Sequence, residues 1–174
     1  MAQQGKRAGR EDSSKKAMAG EFAVLSQLAL HGLVANLTLG NTKGVDILVL
    51  NPKNKRMYQL EVKTRFRKDF KKSRTYGGQL ADWLMWKKNE NLRSPNLFYC
   101  FVNIDREDAF RYFLVPSKTV ANYVRREHRQ YMKHARPSAD NDICIFRLRE
   151  ERNRKGWLSV PLASKYESKW GLLK

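Results

Sequence analysis

The sequence predicts an α/β domain with a mixed sheet flanked by helices. Three observations predict it. Stretches with helical spacing alternate with short apolar strands. Two consecutive strands meet at a tight turn, "NPKNK", which makes an antiparallel hairpin and argues against a doubly wound parallel sheet. No GxGxxG or GxxxxGK[ST] loop is present to cradle a nucleotide. The expected order is helix, three strands, helix, strand, followed by an extension of strand, helix and strand.

The chain has 174 residues, enough for one domain with its own core. Residues 1–12 are polar and basic and read as a flexible arm; residues 13–174 read as the domain. Ser13 or Ser14 caps a first helix, in which Met18, Phe22, Leu25 and Ala29 recur at helical spacing and which Gly32 ends. Glu21 falls in line with Val24 and Leu28 at the edge of that stripe. "LVANLTLG" is a first strand and "VDILVL" a second, apolar on both faces past Asp46 and so expected to be buried. "RMYQLEVKT" is the third. The basic loop "RFRKDFKKSRTYGG" follows. "QLADWLMWKKNENL" then reads as a helix through the spacing of Leu80, Trp83 or Leu84, and Lys87. "NLFYCFVNI" is apolar throughout, as a central strand is. "RYFLV" is a strand that Pro116 ends. Ser117 caps a helix to about Met132, with Val120, Val124 and Tyr131 inward, and "ICIFRL" is the last strand. The tail from Trp157 is apolar enough to dock on the body.

Charge narrows the partners. Lys and Arg number 35 against 17 Asp and Glu, a formal net charge of +18. That is more than solubility needs and marks a protein that meets a polyanion, of which nucleic acid is the usual one. No apolar run reaches the roughly 18 residues of a membrane span. The first residues lack the apolar core of a secretory signal, so a cytoplasmic location is expected. Cys100 and Cys144 each sit within an apolar run, far apart, and read as buried thiols rather than a zinc site. His31, His128 and His134 show no metal-binding or catalytic spacing, and Trp83, Trp86, Trp157 and Trp170 read as packing residues.

The chemistry concentrates on the hairpin. Residues two apart in a strand share a face, roughly 6.6 Å apart. Gln59, Glu61 and Lys63 therefore point one way and Tyr58, Leu60 and Val62 the other, toward a core. Asp46 stands about as far before the turn as Glu61 stands after it, so pairing brings the two acids together. Two carboxylates at one spot repel unless a cation joins them. Mg²⁺ takes oxygen ligands and suits a carboxylate pair, with the Val62 carbonyl as a further oxygen. Lys63 on the same face can serve a water or neutralise charge growing on a phosphate. The opposing view of Glu61 and Lys63 is a solvent-facing cross-strand ion pair, worth little.

"GVD" and "LEVK", with fourteen residues between Asp46 and Glu61, resemble the PD-(D/E)XK nuclease superfamily. That group includes restriction endonucleases, archaeal-type Holliday junction resolvases and intron-encoded homing endonucleases. The resemblance implies a restriction-endonuclease-like αβββαβ core over roughly residues 15–104, with residues 105–174 as a C-terminal extension. It implies Asp46 and Glu61 as Mg²⁺ ligands (Mn²⁺ substituting), Lys63 serving the attacking water, a helical glutamate at Glu21 and a glutamine at Gln59. Val45 stands where the superfamily's name has proline.

The reading that follows is a Mg²⁺-dependent endonuclease hydrolysing DNA, with RNA as the other nucleic acid to consider and a homodimer or higher homo-oligomer as the assembly that cuts both strands. Arg65, Arg67, Lys68, Lys71, Lys72 and Arg74, directly after Lys63, are the expected phosphate contacts, with Arg125 and Arg129 as a second set. The rival is a basic DNA- or RNA-binding protein that keeps the fold without catalysis; a structural ribonucleoprotein component is a third, weaker fit.

Overall fold

A computed structural model of the protein describes residues 2–38, 44–67, 70–106, 108–134, 142–151 and 157–174, with side chains from residue 14 onward. The elements are α1 (Ala2–Leu30), β1 (Val34–Leu37), β2 (Ile47–Asn51), β3 (Arg56–Phe66), β4 (Lys71–Lys72), β5 (Gln79–Trp86), β6 (Leu97–Arg106), β7 (Ala109–Pro116), α2 (Ser117–Met132) and β8 (Ile143–Arg149), with a 3₁₀ turn at Lys87–Asn91. The main sheet has the order β1-β2-β3-β6-β7, and β4-β5-β8 form a second, smaller one. The fold class is the expected one: α/β, with a mixed sheet.

The first three strands form an antiparallel meander, in which Ile47 opposes Leu60 and Asn51 opposes Arg56 across the turn. β6 runs parallel to β3, with Glu61 beside Tyr99 and Lys63 beside Phe101. A parallel neighbour requires a long crossover, usually helical. Here the crossover is residues 67–96, and the helix expected over 79–92 is instead β5 followed by the 3₁₀ turn. The burial of β5 settles the point: Ala81, Trp83 and Met85 are buried, and Leu84 and Trp86 are exposed, a two-residue period. β5 is held by β8, a partner about sixty residues away, where Trp83 opposes Phe146 and Trp86 opposes Ile143. The β7–α2–β8 extension follows the expected order.

Two cores lie on opposite faces of the main sheet. Val24 and Leu28 of α1 pack with Ile47, Leu60, Val62 and Cys100, closed by Trp170 and Leu173 of the tail. On the other face Tyr99, Phe101 and Phe113 meet Trp83, Phe146 and Val124. Trp83 packs tilted against Phe101, with ring centroids 5.0 Å apart, and Phe101 stacks on Phe146 at 4.4 Å.

Several local expectations change. α1 begins at Ala2, ahead of Ser13 and Ser14, so neither serine starts it; nothing between them forces a break, and its glycines only weaken a helix. Its buried stripe is Gly20, Val24 and Leu28, while Met18 and Phe22 are exposed. The reason is the close approach at Gly20, where a Cβ would sit 1.8 Å from Thr64 Oγ1. β2 is covered on one face only: Ile47 and Val49 are buried, Leu48 and Leu50 exposed. Ser117 does not cap α2; its hydroxyl donates to Ser94 O at 2.8 Å and ties the helix start to the loop before β6. Tyr131 is exposed at the far end of α2. Among the described residues, no helix is long and apolar enough to cross a membrane.

Candidate active site

The site forms where the hairpin ladder stops. Asp46 is one step past the Ile47–Leu60 pair, so it faces Glu61 across the two strands. Its amide donates to Leu60 O at 2.8 Å, and its carboxylate Oδ2 accepts the Val62 amide at 2.7 Å. The aspartate side chain thereby takes over the next rung of the ladder and is held rigidly against β3. Thr38 fixes the same corner from β1's end: its amide donates to Asp46 O at 2.9 Å and its hydroxyl to Val45 O at 2.6 Å.

Glu61 is 5% exposed. Lys63 Nζ donates to its Oε1 at 2.7 Å. Oε2 is buried and has no hydrogen-bond partner among the described residues. A charged, buried oxygen without a partner is costly. Gly44, at φ +80°, passes above it; a Cβ there would lie 3.7 Å from Oε2, so the backbone roofs the carboxylate without filling the space.

Glu21 arrives from α1. The Gly20–Thr64 contact seats that turn of the helix on β3 and leaves the next residue at the acids. Burial, with the Asp46 charge adding to it, raises the Glu21 carboxyl above its ordinary value, and Lys63 opposes the shift. The Asp46 carboxyl is raised too, first by burial and then by Glu61, against the lowering pull of the Val62 amide and Lys63. Three carboxylates, of Glu21, Asp46 and Glu61, thus share a field with the Lys63 ammonium.

Gln59 lies exposed opposite Leu48, two residues before Glu61 on the same strand face. Behind Glu61, Tyr99 projects from β6; burial, the Glu61 charge and hydrogen bonding to the Glu61 side chain raise its phenol well above the usual range, against the pull of Asn89. Its hydroxyl accepts from Asn89 Nδ2 at 2.9 Å, so the 3₁₀ turn braces the wall of the site. Only the parallel β3–β6 register makes Tyr99 and Asn89 part of the site, and sequence spacing carries no sign of it. Gly20, inside an otherwise regular helix, is the one such signal available.

The basic residues divide. Arg65 is buried, donates from Nε to Asn103 Oδ1, pairs with Asp82 at 3.1 Å and lies over the Trp83 ring at 5.2 Å. It is a strut between β3 and β5 rather than the surface phosphate contact expected; the charge of Asp82 and the aromatic floor are what draw it inward. Arg67, Lys71, Lys72, Arg74 and Arg129 are exposed. Arg125 donates to Glu90 O at 3.2 Å and Asn91 Oδ1 at 3.0 Å. Lys68 lies outside the described residues. A cleft of about 680 Å³ opens beside Lys63, with Arg67, Asp82 and Trp86 among its walls. A second, about 440 Å³, is lined by Arg93, Arg125 and Arg126.

The overall fold is shared with a solved structure. The solved structure in question is that of a bacterial homing endonuclease, I-Ssp6803I. It superposes with a TM-score of 0.55 over 92% of this chain and 91% of that one, at 15% sequence identity. At that identity the likeness establishes the fold. No protein-family model matches the sequence. No curated protein matches it significantly.

Proposed function

We propose that the protein is a Mg²⁺-dependent endonuclease of the PD-(D/E)XK type that hydrolyses phosphodiester bonds in DNA. The observation that carries this reading is the buried, unpartnered Oε2 of Glu61, set beside Asp46, Glu21 and Lys63. A structural acid would be satisfied by the protein; this one is left for something from outside.

The donors suit a hard divalent cation, being carboxylate and carbonyl oxygens with room for water. Asp46 and Glu61, with the Val62 carbonyl, would hold it. Bound Mg²⁺ would polarise the phosphate and favour ionisation of a water. Lys63, already 2.7 Å from Glu61, is placed to orient that water or to balance charge on the phosphorus oxygens. Attack forms a bond from the water oxygen to phosphorus and breaks the bond to the leaving oxygen, which takes up a proton. Arg67, Lys71, Lys72 and Arg74 supply a grip on the backbone that needs no particular base sequence. The structural neighbour is a homing endonuclease, which favours DNA over RNA as the substrate. A symmetric dimer would give two such sites for the two strands.

The test is nicking of supercoiled plasmid in Mg²⁺, Mn²⁺ or EDTA, with Lys63→Ala prepared alongside. Nicking in either metal, its absence in EDTA, and loss in Lys63→Ala with DNA binding retained are the expected results. Nicking in EDTA would overturn the metal reading. Binding that falls in step with cleavage would remove Lys63 from the chemistry and leave a binding module.

A further inference from the structure

Outside the carboxylate site, another polar group in the second half of the chain lacks a structural explanation. His128 on α2 is 7% exposed. Its Nδ1 lies 2.7 Å from Glu90 Oε1 on the 3₁₀ turn, and its Nε2 is buried with no partner among the described residues. A buried imidazole that uses one nitrogen and strands the other pays for lost hydration with nothing in return. Cys144 of β8, a free thiol 1% exposed, completes the group: one ligand atom each from Glu90, His128 and Cys144 all lie within 4.8 Å of one another.

We propose that Glu90, His128 and Cys144 form a binding site for a zinc-class transition-metal ion, separate from the Mg²⁺ site, which clamps the 87–91 turn to α2 and β8. The donor set is carboxylate, imidazole and thiol, which selects Zn²⁺ or Co²⁺ and not Mg²⁺. Three side-chain ligands with a water in fourth place is a common arrangement for zinc. Ligands about 2.0–2.3 Å from such an ion sit roughly 3.3–3.8 Å apart, so the present spacing closes with side-chain adjustments of an ångström or less. The residues are 38 and 16 positions apart in sequence and come from three elements, so no motif announces them. Solvent lies close by: Lys87 and Asp142, whose charges act on Cys144, line a surface cavity of about 330 Å³.

The clamp has a consequence for the first site. The turn that carries Glu90 also carries Asn89, which holds the Tyr99 hydroxyl behind Glu61. Fixing the turn fixes that wall.

The experiment is titration of metal-stripped full-length protein with Co²⁺, reading the thiolate-to-cobalt charge-transfer band in the near ultraviolet, and then displacement by Zn²⁺. One Co²⁺ per chain with a thiolate band, bleached by Zn²⁺, is expected. Cys144→Ser should abolish the band. Glu90→Gln, which can keep a hydrogen bond to His128 and disturbs packing least, should weaken binding by about tenfold or more. Glu61→Gln and Asp46→Asn should leave the band intact, which separates this site from the Mg²⁺ reading and its failure. Absence of the band in folded protein, or its persistence in Cys144→Ser, would overturn the proposal.

Discussion

Two buried glutamates, one on β3 and one on α2, make an instructive pair. Glu127 on α2 is 4% exposed and Glu61 on β3 is 5% exposed, so both are taken almost wholly out of water. Glu127 accepts from Tyr76 Oη at 3.0 Å and from Arg147 at 2.7 Å, and Arg147 lies over the Tyr76 ring at 4.2 Å. Glu61 has Lys63 on one oxygen, a stranded second oxygen, and Asp46 close enough for their charges to repel. The first is a closed network that holds α2 to β8 and to the loop before β5. The second is held open, at a cost to the protein by itself. A fold tolerates the second kind of site where a ligand completes it.

The comparison breaks most sharply under Glu61→Gln. Nicking should fall by a factor on the order of 10³, while urea unfolding of the ion-free protein shifts little or toward greater stability. A large loss of stability in this variant would show that Glu61 is structural after all. Glu127→Ala should do the reverse. Removing one partner of a buried pair leaves Arg147 uncompensated, a destabilisation of about 3–5 kcal/mol in denaturant titrations. Cleavage per folded molecule should stay near wild type.

Gly20→Ala tests how Glu21 is delivered. Its Cβ would meet Thr64 Oγ1 at 1.8 Å, so helix or strand must give way. The expected cost is about 1–3 kcal/mol, partly recovered when Thr64→Ala is added. No recovery would mean that the contact does not set the helix position.

The smallest effect is on pH. Glu21 and Asp46 have folded pKa values raised above their ordinary 4.5 and 3.8. Between those ordinary values and the raised ones, the folded state binds more protons than the unfolded one. Stability of the ion-free protein therefore falls as pH rises through that window. Asp46→Asn should flatten the slope, and Mg²⁺ should stabilise the protein more at pH 7 than at pH 5. A slope unchanged by Asp46→Asn would place its origin elsewhere.

Much of this architecture was visible in the residues themselves. The hairpin around "NPKNK", the alternation of Tyr58, Leu60 and Val62 with Gln59, Glu61 and Lys63, the apolar run at 97–104 and the span of α2 all follow from local preferences, which act over a few residues. Asp46 and Glu61 face each other because a tight antiparallel turn leaves one natural register. Long-range partners decided the rest. Residues 79–86 fit a helical period as well as a strand period, and β8, folded against them from the far end of the chain, selected the strand. Arg65 turned inward because Asp82 and Trp83 arrive from that same strand. Glu90, His128 and Cys144 converge only once the turn, α2 and β8 are packed together. The sequence by itself determined the meander strands, the hairpin and the acids at its end, since each depends on neighbours along the chain. Only the tertiary structure decided which charges are satisfied and which are left open, because that depends on groups brought from tens of residues away.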